Sequence, residues 1–185
     1  MFFMRSDAQA NRELLLRSAA DLFIANGDAV SMRAIATHAG VGMGTLYRHF
    51  PDREALITGL AEHLFGKINA AAQTALEAPL PQSFDDFFHT LAGLRIGGII
   101  PALADDYGST IPEHLWTLRA QAVAEVDHVV TRAQEAGILR PEVTAIRLIL
   151  GIIMATRPLP PAAPSDMLDD AAWVLENFLD SLKVT

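Results

Sequence analysis

The sequence predicts an all-α fold of about nine helices. Apolar residues recur at helical spacing along most of the chain, and the strict alternation that marks a strand is nearly absent. Gly or Pro stands at many boundaries between these segments. With 51% hydrophobic and 19% charged residues among 185, the chain can bury a substantial core, which excludes wholesale disorder.

The first helix is expected from about Asp7 to Ala25, and Asn26-Gly27 ends it because both residues tolerate a positive φ. Its buried face is marked by four apolar residues at helical spacing: Leu15, Ala19, Leu22 and Phe23.

Two short helices joined by a glycine turn are expected next. Ser31 is the N-cap of the first, which ends near His38. The second covers about Gly42 to His49 and buries Leu46 and Phe50. A small Ala36 where the helices cross, Gly40 in the turn and Leu46 packing back fit a helix-turn-helix. From geometry alone, an ordinary helical hairpin is the alternative.

The remaining chain is expected to be helical as well. Pro51-Asp52 opens a helix that continues to about Leu76. Beyond the break at Pro79 to Pro81, five more helices are expected: Ser83–Arg95, Ile99–Asp106, Pro112–Ala136, Glu142–Thr156 and Asp166–Leu182. Gly137 closes the third of these, and several prolines form a stiff loop before the last.

The segment from Ala20 to Leu56 closely resembles the N-terminal domain of the TetR (tetracycline-repressor) family of bacterial transcription regulators. The matching pieces are Ala20–Leu22–Phe23, Gly27, Arg33–Ile35–Ala36, Ala39–Gly40–Val41, the run Gly44–Thr45–Leu46–Tyr47–Arg48–His49–Phe50, and Arg53–Glu54–Ala55–Leu56. The resemblance covers about the first third of the chain; the rest is similar only in length and helical pattern. It implies a DNA-binding domain at residues 5–50 and an effector-binding and dimerisation domain at 51–185.

In such a motif the second helix enters the major groove and presents its exposed side chains to base edges. The candidate DNA-binding residues are Ser31, Arg33, Met43, Gly44, Thr45, Tyr47, Arg48, His49 and Arg53. Thr45 can donate or accept a hydrogen bond, and Met43 can touch a thymine methyl group. Tyr47 and His49 look like the family's phosphate-contacting pair. Many family members carry a polar or basic residue where Met43 stands, which weakens an expectation of guanine readout there.

Several of these residues have ordinary structural alternatives. Tyr47 could be part of the core, and Arg48 could be merely solvated. Gly44 costs about 1 kcal/mol inside a helix relative to Ala, which either a close approach to DNA or a tight helix crossing would explain. The Gly40–Gly42–Gly44 cluster lacks both the spacing and the preceding strand of a dinucleotide-binding loop.

In the resembling family, the region after the motif encloses a ligand cavity. The candidate pocket residues here are Leu64, Ile68, Phe87, Phe88, Leu91, Tyr107, Trp116 and Arg119. Plain core is the alternative for any of them, since apolar residues at helical spacing are most often core. We expect a small, mostly apolar effector.

The last two helices are expected to form a subunit interface, since the first of them is apolar on more than one face. The candidate interface residues are Leu148, Ile149, Ile152, Trp173 and Phe178. In the family these elements build a four-helix bundle across a two-fold axis. Packing on the monomer core is the alternative.

Charge and composition restrict the other function classes. Residues 1–60 carry six basic and six acidic residues, so the remainder carries the whole net charge of −8. The N-terminal third is therefore comparatively basic. Absence of cysteine excludes disulfides and thiolate metal sites, and the cytosol is the simplest compartment. No membrane span, metal or cofactor is expected, and His63, His89, His114 and His128 form no i, i+4 pair with one another.

These observations favour a non-enzymatic, homodimeric repressor that an effector releases from near-palindromic operator DNA. The alternatives are an activator or effector-independent regulator, and a helical enzyme or carrier with a vestigial helix-turn-helix. The lack of a convincing catalytic constellation counts against the last.

Overall fold

The computed structural model describes residues 2–27, 29–100, 111–159 and 166–184, and in these ranges the protein is all-helical. The helices are α1 (Phe2–Asn26), α2 (Met32–His38), α3 (Met43–His49), α4 (Arg53–Glu77), α5 (Gln82–Gly93), α6 (Glu113–Glu135), α7 (Ala145–Ala155) and α8 (Asp166–Leu182). The expected fold class is confirmed; eight helices lie wholly within the described ranges, where about nine were expected for the whole chain. Residues 96–100 are also helical, but most of the expected helix Ile99–Asp106 lies outside the described residues.

Local signals account for most helix boundaries. The bounds of α8 are those expected from the sequence. Helix α1 begins at Phe2 rather than Asp7, because no Gly or Pro interrupts the residues before Asp7. Helix α7 begins at Ala145 rather than Glu142, because the Thr144 hydroxyl accepts a hydrogen bond from the Arg147 N–H at 3.2 Å and caps the helix there.

The chain divides into two compact units. The N-terminal unit comprises Met1–His63 with Gly98–Ile111, and the C-terminal unit comprises Leu64–Gly97 with Pro112–Thr185. Helix α4 is continuous and contributes residues to both.

The core of the N-terminal unit is formed by α1, α2, α3 and the first turns of α4. Its fully buried side chains include Leu15, Phe23, Ile35, Leu46, Phe50, Leu56 and Leu60. Burying a side chain of this size contributes about 1.5–3 kcal/mol. Of the expected stripe on α1, Leu22 is only half-buried, whereas the other three residues are buried.

The core of the C-terminal unit joins the second half of α4 to α5, α6, α7 and α8. Three phenylalanines of α5, Phe84, Phe87 and Phe88, are buried at its centre. Helices α7 and α8 approach closely at Gly151, where an added Cβ would lie 1.9 Å from the Phe178 ring. Only glycine therefore allows this packing.

Contacts between residues far apart in sequence hold the end of α4 and the segment after α6 in this unit. The Arg132 guanidinium donates to the carbonyls of Ala75 at 2.7 Å and Ala78 at 2.9 Å, at the end of α4. These are carbonyls that a helix cannot satisfy by itself. After α6, Leu139 forms a single antiparallel bridge with Lys183, just beyond α8.

Candidate functional site

Helices α2 and α3 are joined by a tight turn that has the expected conformation. The Ser31 hydroxyl caps α2 by accepting from the Ala34 N–H at 3.1 Å. Gly40 adopts φ +66°, a left-handed conformation that favours glycine. The Val41 N–H then donates to the Ala36 carbonyl at 3.0 Å, which closes the turn. Ala36 and Leu46 are buried between the helices, as the spacing predicts for a helix-turn-helix.

The outer face of α3 carries side chains that form hydrogen bonds. Leu46 is 0% exposed, whereas the neighbouring Tyr47 is 49% exposed, so α3 has one buried and one open side. Gly44 and Arg48 are also exposed, and Met43, Thr45 and His49 are half-buried. Tyr47 is therefore not a core residue.

Arg48 and Thr45 form a pair that sequence reasoning did not identify. The Arg48 Nη2 donates to the Thr45 hydroxyl at 3.0 Å, and its Nε donates to the Gly44 carbonyl at 3.0 Å. The two residues are separated by three positions, which places them together on a helix surface. That spacing was the available signal. Arg48 is exposed but its guanidinium is held along α3.

Gly44 has open space around it. No described atom lies within 4 Å of a Cβ built at this position, so a tight helix crossing within the described protein does not explain the glycine. A close approach to DNA, the other explanation considered from the sequence, stays a prediction.

His49 lies at the end of α3 beside an open cleft of about 430 Å³. Nearby, the Arg12 guanidinium is 5.3 Å from the centre of the Phe50 ring and 3.5 Å from the Glu62 carboxylate. Phe50 is buried, as expected. The cleft mixes both signs of charge, so it has no strong preference for an anion.

The other candidate DNA-binding residues differ in their availability. Arg33 is exposed near the start of α2, next to the capping Ser31. The Arg53 guanidinium donates to the Val30 carbonyl and lies 5.2 Å from the centre of the Phe23 ring. Arg53 is thus engaged within the N-terminal unit, and a phosphate contact would compete with these interactions.

Comparison with known proteins identifies the same segment. Residues 15–60 match the family model described as "Bacterial regulatory proteins, tetR family". An HTH-type transcriptional regulator of Staphylococcus aureus (strain USA300) is 48% identical over 54 residues, a match that spans only 29% of this chain and 29% of that relative. Over the whole length, the chain is 30% identical to a TetR transcription regulatory protein from Mycobacterium vanbaalenii. The TM-score is 0.70, and the match covers 98% of this chain and 99% of that one.

The chain belongs to the TetR family. A TetR transcriptional regulator from Streptomyces coelicolor has the same fold, with a TM-score of 0.69 at 23% identity, covering 94% of this chain and 99% of that one. The protein is a TetR-family transcriptional regulator with a DNA-binding helix-turn-helix, formed here by α2 and α3.

The expected pocket residues of this TetR-family chain fall into two groups. Leu64, Ile68, Phe87, Phe88 and Leu91 are buried in the described chain. Trp116 is half-exposed, with the Arg119 guanidinium 5.7 Å from the centre of its ring, so the structure does not bring these two into the buried group. Tyr107 lies outside the described residues. The assignment of an effector pocket stays a prediction.

The expected interface residues lie on different sides of α7 and α8, and their assignment to an interface stays a prediction. Leu148 and Ile152 are buried in the core of their own chain, so they are not available to a partner. Ile149 and Phe178 are half-buried against the same core, and Phe178 packs 6.0 Å from the Phe88 ring. Trp173, in contrast, is 65% exposed.

Other apolar residues occupy the open side of α7 and α8 and were missed from the sequence. They are Ile146, Leu150 and Met154 on α7, and Val174 beside Trp173 on α8. The signal was the i, i+4, i+8 spacing on α7, but the buried residues of that helix are equally apolar, so periodicity could not separate the two faces.

Two features are absent from the ranges that the structure describes. No group of three or more His, Asp or Glu residues there is arranged to hold a metal ion. No helix within them has the length and apolarity needed to cross a membrane.

Proposed function

We propose that this TetR-family regulator is a homodimeric repressor that binds near-palindromic operator DNA and is released by a small, mostly apolar effector. The observation that carries the DNA-binding part is the charge of the helix-turn-helix. Residues 31–50 contain two Arg and two His but no Asp or Glu, in a chain with a net charge of −8. An acid-free surface suits a phosphate backbone, and the hydrogen-bonding side chains on α3 suit base edges.

The proposal of a homodimer rests on the apolar open side of α7 and α8. Leu150 is 55% and Met154 69% exposed in the single chain, close in sequence to buried Ile152. An exposed apolar stripe of this kind typically marks an interaction surface. A second copy using the same stripe gives a two-fold dimer, and operator symmetry then mirrors protein symmetry.

The proposal of effector control rests on α4 and on the apolar interior of the C-terminal unit. Helix α4 begins at Arg53, shortly after α3, and runs without a break through Leu64 and Ile68 to Glu77. Buried aromatic residues of α5 belong to the same core as Ile68. An apolar molecule that binds among these residues would contact α4, and a differential affinity for two positions of α4 would change DNA binding.

The DNA-binding proposal is tested by selecting bound fragments from the source genome with the full chain. Affinity for the selected duplex and for a scrambled duplex is then titrated at several salt concentrations. We expect preference for the selected duplex by at least about 1000-fold at physiological salt. Equal affinity for both duplexes would contradict the proposal.

Effector release is tested by a thermal-shift screen of apolar metabolites and antibiotics, followed by operator titrations with each hit. Typical coupling of about 1–3 kcal/mol predicts that a releasing effector lowers operator affinity about 5- to 150-fold. Operator DNA must weaken effector binding by the same factor. A hit that stabilises the protein but leaves operator affinity unchanged argues against control by that compound. A reporter gene behind the operator reads the sign of regulation.

A further inference from the structure

We propose that Arg48 positions the Thr45 hydroxyl as a hydrogen-bond donor toward DNA, so that the pair favours bases presenting an acceptor in the major groove. This inference rests on the proposed role of α3 as the element that reads DNA. It assigns to Arg48 a part in specificity through Thr45, in addition to any attraction between its charge and phosphate.

The donor and acceptor groups of the two side chains determine which of them donates the hydrogen bond. A guanidinium only donates, so the 3.0 Å contact between Arg48 Nη2 and Thr45 Oγ1 makes Thr45 the acceptor. The Thr45 hydroxyl has one hydrogen, and this contact does not use it. The second contact, from Arg48 Nε to the Gly44 carbonyl at 3.0 Å, holds the guanidinium in place along α3.

Other threonines of the chain use their hydroxyl hydrogen differently. Thr37, Thr74 and Thr90 each donate to the carbonyl four residues earlier in their own helix, at 2.7–2.9 Å. Thr45 lies in the first turn of α3, and the residue four positions earlier, Val41, precedes the helix. Among the described residues, the contact with Arg48 is the hydrogen bond that the Thr45 side chain makes. Its hydrogen is therefore free for an outside acceptor.

The contact with Arg48 makes the Thr45 hydroxyl a better donor than acceptor toward a base: its hydrogen is free, one of its two lone pairs is occupied, and the adjacent guanidinium charge disfavours the approach of a further donor. In the major groove guanine offers N7 and O6, thymine offers O4 and adenine offers N7, all acceptors, whereas cytosine offers the N4 amino donor. A freely rotating threonine hydroxyl would accept from cytosine as readily as it donates to the others. We therefore expect the base facing Thr45 to be selected most strongly against cytosine.

The experiment is binding-site selection by the full chain from a randomised duplex library, with sequencing of the bound fraction. Thr45→Ser retains the hydroxyl, and Thr45→Val removes it at nearly constant shape. Arg48→Met removes the guanidinium donors at similar length. Arg33→Met removes another exposed positive charge of the same motif and serves as the charge-matched control. Arg33 and Arg48 are exposed and Thr45 is half-buried, and the melting temperature of each of the four variants checks its folding.

We expect one base position in the selected site to disfavour cytosine by about 5- to 150-fold in the wild type and in Thr45→Ser. Thr45→Val and Arg48→Met should each lose this discrimination at that position alone. The double variant should be no worse there than Thr45→Val, since the two residues act as one unit. Arg33→Met should lower affinity for all sequences and keep the discrimination.

Two outcomes overturn the inference, and they differ in what else they overturn. If the wild type enriches a sequence and Arg48→Met keeps every base preference, Arg48 does not position Thr45, although the proposed DNA-binding function stands. If the folded wild type enriches no sequence, both the proposed function and this inference fail.

Discussion

Helices α3 and α7 are both short and both bury one side, yet they present opposite chemistry on the other. Helix α3, with 7 residues, buries Leu46 and exposes Tyr47 and Arg48. Helix α7, with 11 residues, buries Leu148 and Ile152 and exposes Leu150 and Met154. Their buried sides have the same role, because each packs the helix against the core of its own unit.

The difference between the two helices lies in the partner that each open side suits. A polar, acid-free side gains little from folding, because its groups are already hydrated, and it is suited to a polyanion. Transfer of an exposed apolar side from water into an interface lowers the free energy. For these two helices, the exposed residues therefore indicate the binding partner, whereas the buried residues indicate only the packing.

The largest effect is expected on dimerisation, when a charged residue is introduced on the exposed apolar side of α7. Leu150→Asp should leave the single chain folded, because Leu150 is 55% exposed. In the proposed dimer it would bury an unpaired carboxylate from each chain, at a combined cost of at least about 3 kcal/mol, which raises the dimer dissociation constant at least about 100-fold. Light scattering at micromolar concentration measures this change.

The matched control is Gln73→Asp, which adds a charge at an exposed position of α4. Ile152→Asp is unsuitable as a test, since Ile152 is buried and its loss would unfold the chain. A Leu150→Asp protein as dimeric as the control would place the interface elsewhere. A monomeric wild type would remove the dimer from the proposal.

A smaller but local effect is expected on the buried side of α7. Gly151→Ala should lower the free energy of unfolding by about 1–3 kcal/mol, because the new methyl group collides with the Phe178 ring. Gly66→Ala is the control, since Gly66 is exposed on α4 with open space around it. It should stabilise by up to about 1 kcal/mol. Denaturant unfolding that ranks the two variants the other way would show that α7 and α8 do not pack this closely.

On the open side of α3, removal of one hydroxyl should affect binding without affecting folding. Tyr47→Phe should weaken binding to all duplexes alike, by about 1 kcal/mol, if the Tyr47 hydroxyl contacts a phosphate. Its unfolding free energy should stay within about 0.5 kcal/mol of the wild type, because the hydroxyl is not part of the core. Titrations on operator and non-operator DNA provide the measurement. A change confined to one base position would instead assign Tyr47 to base reading.

The smallest effect is expected from an exposed polar contact that joins α5 to α8. His89 has an acceptor at each ring nitrogen, the Asp85 carbonyl at 2.7 Å and the Glu176 carboxylate at 2.9 Å. The hydrogen bond with Glu176 raises the pKa of His89 above its ordinary value of 6.5, although burial opposes the shift. The Asp85 carboxylate also favours the charged ring, and it is itself paired with Lys183 at 3.0 Å.

Because the pKa of His89 is higher in the folded than in the unfolded chain, its contribution to stability is complete below pH 6.5. The contribution is lost as the pH rises through the folded pKa. Both side chains are about half exposed, so we expect less than about 1 kcal/mol. Denaturant unfolding of wild type and His89→Gln at about pH 6 and about pH 8 should give a difference that shrinks at the higher pH. A difference that is constant or grows would contradict the protonated pair.

The features that the sequence predicted correctly are those determined by residues close to one another in the chain. The cap at Ser31, the positive φ at Gly40, the burial of Leu46 and the bounds of α8 all follow from signals within a few positions. The orientation of α7 does not, because nearly every residue of that helix is apolar and only distant contacts decide which side is buried.

Contacts between side chains that are far apart in the sequence could not be predicted from it either. Arg53 looked available for phosphate, but its partners Val30 and Phe23 lie on elements that only the fold brings close. His89 and Glu176 are 87 positions apart, and no local pattern connects them. Even the local pair of Thr45 and Arg48 needed the structure, since an exposed arginine at that spacing has many rotamers.

The hold of Arg132 on the end of α4 has a mechanical consequence. A helix of 25 residues is about 37 Å long, and the Ala75 and Ala78 carbonyls fix one end of it to α6. With that end as the pivot, a tilt of about 5° displaces the opposite end, at Arg53, by about 3 Å. A rotation of this size about that pivot would become a shift comparable to a hydrogen-bond length at the start of the helix.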